Sequence, residues 1–514
     1  MGFKEMQDPI PFKDILVPYT DSLLDCIAKL DLSESKKSVL YSTFLKELSS
    51  DAEIVLQYEL DKFRKTGNDS FAVFVIEMQT KISIFYPVLD KILKEKTGSF
   101  LNHLSKIIVR FQKDIKKIIT TFELPTKEKN LKIIDIEANL GDGHDGEGTT
   151  LLILSNGIKL IYKPRNIEII NSYNLFINWA NCKANIDLKI FKSLNCIEYG
   201  WLEFVNYEEV NLEDDLSEYY FKAGVLLTIT MLLGSIDYHS ENIIASGKNP
   251  MIIDHETIIQ PYWKNRFTQN VDNQNEIPRF SVLESSLIFN PKVSSHPNCT
   301  GYGIQGLVEV LELRKKIVNS NTINSKRVTE LTSRDLIQKN IPKKNDRYIF
   351  VNEYTKHFLK GFCITYDMFL SSKPELTDVI KNIFSGKKVR AVWRPTFVYV
   401  GILKYLTNTT FMSNFEAYQV KLNELLSYAY RDKHMEEYQP LLDAEIKQML
   451  KGDVPIFSVY SSERFLENDV DFRGFHYNCI ENIDHRINLL SIEHKQEQIN
   501  YINRWMDIPV GSVN

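Results

Sequence analysis

The sequence predicts an α+β fold on three observations. Apolar residues recur at three- and four-residue spacing from Phe12 to about Phe122, short β-branched runs set among turns fill Ile133 to about Pro261, and helical spacing returns from Tyr348 to the end. Four regions are expected: a helical one over 1–125, a mixed core with a small antiparallel sheet over 126–264, a polar, loop-rich insertion over 265–345, and a helical one over 346–514. At roughly 150 residues per domain, 514 residues provide for three or four such units.

Composition narrows the function classes. Hydrophobic residues at 43% and charged residues at 25% exclude a disordered, collagen-like or disulfide-framework protein. A formal net charge of −5 offers no bulk positive field, so nucleic acid is not an expected partner. The six cysteines (Cys26, Cys182, Cys196, Cys299, Cys363 and Cys479) form no CxxC pair, which points to free thiols and a cytoplasmic location. MGFKEMQDPIPF lacks the apolar core of a signal peptide. The longest apolar run, Ala223 to Ile236, has 14 residues where a membrane span needs roughly 20, so it is expected as a buried helix.

Taken in order, LLDCIAKL, YSTFLKEL, FAVFVIEMQTKI and FLNHLSKIIVRFQKDIKKII carry the helical spacing until Leu124-Pro125-Thr126 breaks it. GDGHDGEGTTLLILSNGIKLIYKPR (Gly141 to Arg165) follows, with strands expected over Thr150–Leu154 and Ile158–Tyr162 and a type I′ turn at Asn156-Gly157. Lys163 ends the second strand beneath a glycine-rich hairpin, where an ammonium group is suited to ATP phosphates; on this segment alone a surface lysine is as good a reading.

After the buried helix comes the loop Asp237-Tyr238-His239-Ser240-Glu241-Asn242, then strands Ile243–Ala245 and Met251–Ile253, then Asp254. Helix, polar loop, hairpin and Asp is the order of a protein-kinase catalytic loop and its metal-binding strand, which makes the expected core kinase-like. Asp237 then falls where an Asp meets the hydroxyl proton, Asn242 where an Asn binds metal, and Asp254 where an Asp holds Mg²⁺ against phosphates. Glu256 is a further carboxylate for the ion. Magnesium accepts so sparse a set of oxygen ligands. Zinc is disfavoured because His239 and His255 lack a third nitrogen or sulfur ligand. Solvated loop carboxylates remain the plain alternative.

Further on, if Ser385 to Pro395 is helical, Arg390 and Arg394 share a face near Lys387 and Lys388 and form a cationic site suited to phosphate. Alone, such a basic run is more commonly a solvated surface.

These segments together resemble the dehydratase domain of class II lanthipeptide synthetases, the LanM family. That family carries a GDxHxxG stretch followed by YKPR, a DxHxEN loop followed by PxxIDxET, and later RxxxRPT. Here they stand as Gly141 to Glu147, Tyr162 to Arg165, Asp237 to Asn242, Pro250 to Thr257 and Arg390 to Thr396. PFKDILVPYTDSL, YPVLDKIL, GDVPIFSV and HKQEQINYINRW extend the likeness over most of the chain. Two departures are visible: Glu147-Gly148-Thr149 stands where the family has Gly-Arg-Ser, and no segment like the family's zinc cyclase follows.

The resemblance implies ATP- and Mg²⁺-dependent phosphorylation of Ser or Thr in a leader-bearing precursor peptide, then phosphate elimination to dehydroalanine or dehydrobutyrine. Cyclisation is then absent or falls to a separate cyclase. Lys163, Asp237, His239, Asn242 and Asp254, with Glu256, match phosphorylation positions; Asp142, His144, Arg390 and Thr396 match elimination positions. Arg390 is expected to grip phosphate and His144 to transfer a proton, or His144 only to hold the hairpin and Thr396 only to turn the chain. Arg165 and Arg394 are expected as scaffold ion pairs, and Trp393 and Phe397 as core. The alternatives are a peptide or protein kinase without elimination and a catalytically dead peptide-binding scaffold.

Overall fold

Pro87 opens a helix that runs to Thr121, a first-turn position where its missing N–H costs no hydrogen bond. With Glu34–Lys65 and Phe71–Phe85 it builds the N-terminal helical layer in this computed structural model. The structure describes residues 9–507 apart from 126–130, 142, 145, 265–277, 290–299, 304–305, 307–308, 336, 431–434 and 468–471.

The layer rests on a five-stranded sheet made of β1 (Ile133–Glu137), β2 (Thr150–Leu154), β3 (Lys159–Lys163), β4 (Ser193–Asn195) and β5 (Gly200–Glu203). The order is β1-β2-β3-β5-β4, antiparallel throughout. Buried Asp114 on the long helix accepts hydrogen bonds from Tyr199 Oη at 2.7 Å and Trp201 Nε1 at 3.0 Å, which ties helix to sheet. His103 meets the Thr150 hydroxyl at 2.9 Å. The β2–β3 turn departs from the expected type I′: Gly157 has φ +81°, whereas Asn156 does not take a positive φ. A three-residue loop with glycine in the left-handed position makes the same reversal.

The helix Glu213–Leu233 runs through the centre, and every residue from Lys222 to Leu233 is buried. It is long and apolar enough by composition to cross a membrane, yet 83% of its apolar window is buried inside the fold. Helix Thr355–Ser371 crosses it closely: a Cβ on Gly224 would stand 2.0 Å from Phe358 O, and one on Gly361 2.0 Å from Phe221 O. Gly234, with φ +70°, ends the central helix, and a hairpin of β6 (Ile243–Ser246) and β7 (Asn249–Ile252) follows the loop.

Helix makes up about 53% of the chain beside the small antiparallel sheet, so the class is α+β. Three expectations fail locally. Among the described residues of 265–345 a long two-stranded ribbon forms, Glu309–Val318 against Lys326–Asp335, because alternating Val, Leu and Ile sit among charges that hide the strand pattern. Ser385 to Pro395 is not helical; Lys388–Arg390 is a strand paired with Ser458–Tyr460. Phe397, expected as core, is 76% exposed.

Candidate active site

Lys163 reaches the site because β3 is flanked by β2 and β5, and its last residue pairs with Gly200, where an added Cβ would stand 2.2 Å from Ile167 Cδ1, so only glycine admits that side chain. Its Nζ lies 2.7 Å from Asp254 Oδ1. Asp254 follows β7, and Ile253 N donates to Asn242 O at 3.0 Å, so loop and hairpin are registered on one another. Asp237 takes φ +69°, a conformation tolerated by Asp, and Asn242 Nδ2 clamps it by donating to Asp237 O at 2.8 Å. Thr257 Oγ1 donates to Ile236 O at 2.7 Å and holds the same loop from the other side.

His239 caps the short turn Ser240–Asn242: its Nδ1 accepts from Glu241 N at 3.3 Å, and its Nε2 lies 3.3 Å from Asn242 Nδ2 and 3.9 Å from Asp237 Oδ1. Burial raises the Asp237 carboxyl pKa, Asp254 and Glu256 add to it, and His239 and Arg390 oppose it. The Asn242 amide oxygen and Asp254 Oδ2 accept no hydrogen bond among the described residues, so a hard cation completed by water or phosphate fits this pair. No group of three or more His, Cys, Asp or Glu suited to a metal occurs among the described residues.

Glu256, expected as a metal ligand, stands elsewhere. Its Oε2 takes Arg165 Nη1 at 2.6 Å and its Oε1 takes Arg390 Nη1 at 2.7 Å. Burial alone would raise the Glu256 pKa, but Arg165, Arg390 and Lys163 together hold it well below the carboxylate range. Arg390 reaches this point because its backbone N donates to Glu256 O at 2.9 Å, while Gln260 bridges Arg390 O and Val392 N through its amide. Arg390 Nη2 donates to Thr396 Oγ1 at 3.3 Å; Thr396 opens the helix Thr396–Leu406.

Buried His144 has Nδ1 2.7 Å from Val454 O. A carbonyl only accepts, so Nδ1 carries the proton and Nε2 keeps its lone pair. Burial first, then Arg165 and Arg390, push its pKa down to about 4. Asp142 lies outside the described residues. Lys387 and Lys388 do not join the cluster: they pair with Glu168 and Glu467. Arg394 is a buried scaffold ion pair, held by Glu445 at 2.6 and 2.8 Å.

Thus Lys163, Asp254, Glu256, Arg390 and Thr396 form one chain of contacts, Asp237, His239 and Asn242 form a second tied to it by Ile253 N on Asn242 O, and the fields of Arg165, Arg390 and Glu256 reach His144. Sequence reasoning missed Gln260 and the Val454 carbonyl, whose contacts join residues 130 and 310 positions away. Arg165, expected as an ion pair, forms one with Glu256.

A family model described as "Domain of unknown function (DUF4135)" matches residues 86–460, which cover every described residue of the network. The chain belongs to the DUF4135 family. This DUF4135 chain is similar to the lacticin 481/lactococcin biosynthesis protein LcnDR2 of Lactococcus lactis subsp. lactis, with 24% identity over 409 residues. The match takes in 74% of this chain and 42% of that relative's length.

Proposed function

We propose that this DUF4135 chain is a peptide dehydratase of the lanthipeptide-synthetase type, which phosphorylates Ser or Thr of a precursor peptide with ATP and eliminates phosphate. Similarity to a lacticin 481/lactococcin biosynthesis protein supports a role in lanthipeptide maturation. The observation that supports the chemistry is Glu256, which joins Arg390 of the C-terminal region to the segment of Asp254, as a shared site for phosphorylation and elimination requires.

In this reading 126–264 is a kinase-like core, with a helical region over 1–125, an insertion over 265–345 and an elimination-bearing region over 346–514. Magnesium-bound ATP supplies the phosphoryl group, with Asn242 and Asp254 to hold the ion and Lys163 to meet phosphate oxygens. Asp237, its basicity raised, takes the peptide hydroxyl proton, and His239 steadies it. Hydroxide leaves poorly and phosphate well, so phosphorylation precedes elimination. His144 keeps a lone pair at neutral pH for proton transfer, and Arg390 with Thr396 grips the departing phosphate. The partner is a leader-bearing precursor, met in the cytoplasm.

Mass spectrometry of a co-expressed precursor tests this. Wild type is expected to yield water-loss products. Arg390→Ala should accumulate phosphopeptide, and Asp254→Ala should leave peptide unmodified. Phosphate retained by wild type would mean a kinase without elimination; no ATP turnover with peptide and Mg²⁺ would mean a binding scaffold.

A further inference from the structure

Resting on that function, we infer that Arg165 is a second phosphate-gripping guanidinium of the elimination site, and that Glu256 is the counter-ion a phosphoryl group displaces. Glu256 presents one carboxylate oxygen to each of two arginines, Oε2 to Arg165 and Oε1 to Arg390. Two adjacent oxygens of a phosphate can occupy the same two positions. One carboxylate between two guanidinium groups leaves a surplus positive charge, and Asp254 does not cancel it because its own charge is met by Lys163.

Arg165 is not locked in scaffold as Arg394 is. The Arg394 side chain is 2% exposed and held twice by Glu445; that of Arg165 is 27% exposed, and its hydrogen bond among the described residues is the one to Glu256. A planar guanidinium has five donors, so Arg165 has several left for oxygen. His144, whose pKa both arginines depress, stands in their field.

The step balances as follows. A base takes the α-proton of the phosphorylated residue, the C–H electron pair becomes the Cα=Cβ bond, and the Cβ–O bond breaks with its pair on oxygen. The phosphate gains one proton and leaves as hydrogenphosphate. Charge grows on the leaving oxygen as that bond breaks, and there two guanidinium groups outdo one. Losing one such donor costs about 100-fold or more in rate.

Phosphopeptide accumulated by Arg390→Ala is the probe. With ADP and Mg²⁺ but no ATP, wild type should convert it to dehydrated peptide, and Arg165→Gln should do so about 100-fold more slowly, with weaker product inhibition by inorganic phosphate. Should Arg165→Gln melt early, Arg165→Lys carries the test, since it keeps the charge and loses the two-pronged geometry; it too should be slow. Either folded variant working at the wild-type rate with unchanged phosphate inhibition overturns the inference while leaving the dehydratase reading intact. If Arg390→Ala accumulates no phosphopeptide, both fall together.

Discussion

At the scale of single residues, ion pairs in this molecule differ by burial. Arg394 and Glu445 are both out of solvent, and Glu445 also accepts from Tyr399 Oη and Tyr430 Oη at 2.6 Å each. Removing the carboxylate strands a buried guanidinium and two hydroxyls, so Glu445→Ala should cost about 3–5 kcal/mol. Arg464 and Glu481 form a pair of equal length, but its two side chains are 54% and 37% exposed. Arg464→Ala should therefore cost less than about 1 kcal/mol. Urea melts of both variants measure the contrast, and equal losses would show that burial does not govern these pairs. At this scale the local order of polar residues from Asp237 to Asn242 and on to Asp254 was legible in the sequence, and the structure ties that loop to the hairpin through Ile253 N on Asn242 O. It was silent on Glu445, because an isolated Glu in a helix reads as solvated until its distant partners are known.

At the scale of elements, legibility followed periodicity. The strands flanking Asn156-Gly157 and the buried central helix could be read because one face or the whole element is apolar. The ribbon Glu309–Val318 and Lys326–Asp335 could not, because Leu311, Leu313 and Leu331 are 72%, 72% and 64% exposed and charges line both strands. Nor could Arg390's strand, too short for any period and defined by Ser458–Tyr460 far along the chain. Glycines show how strictly an element's surroundings decide its sequence. Gly98 lies within the helix Pro87–Thr121 with nothing within 4 Å of an added Cβ, so Gly98→Ala should stabilise by about 0.5–1 kcal/mol. Gly224 lies in a helix too, but its Cβ would meet backbone of the crossing helix, so Gly224→Ala should destabilise by about 1–3 kcal/mol or more. Thermal melts of the two variants should move in opposite directions; a Gly224→Ala that melts no earlier than wild type would disprove the close crossing.

At the scale of the whole molecule, the sequence disclosed which segments exist but not which surfaces meet, since the joints are made by Asp114, Gln260 and the Val454 carbonyl across long stretches of chain. Several joints enclose histidines. Burial pushes His103 and His144 down to about 4 and His255 down to about 3, and it lowers His494 as well. His255 is packed between Tyr173 and Phe191, with no hydrogen-bond partner on either nitrogen among the described residues. In the unfolded chain each titrates near 6.5. Between pH 6.5 and about 4 the unfolded state therefore binds protons the native state refuses, and stability falls as pH falls. Each fully protonated unfolded histidine contributes about 1.4 kcal/mol per pH unit, so His103, His144 and His255 together give about 4 kcal/mol per unit near pH 5. A net stability of roughly 5–15 kcal/mol would be consumed within a few units. Glu256, whose pKa is depressed by its arginines, adds loss of the same sign only below the ordinary carboxylate range, so the two windows separate. Unfolding free energies measured by urea from pH 7.5 down to 5 should stay nearly level at first and then fall ever more steeply, approaching this slope near pH 5, and His103→Gln should reduce the slope there by about one third. A stability flat over that interval would mean that these imidazoles take up protons without unfolding, and that the joints around them are open to water.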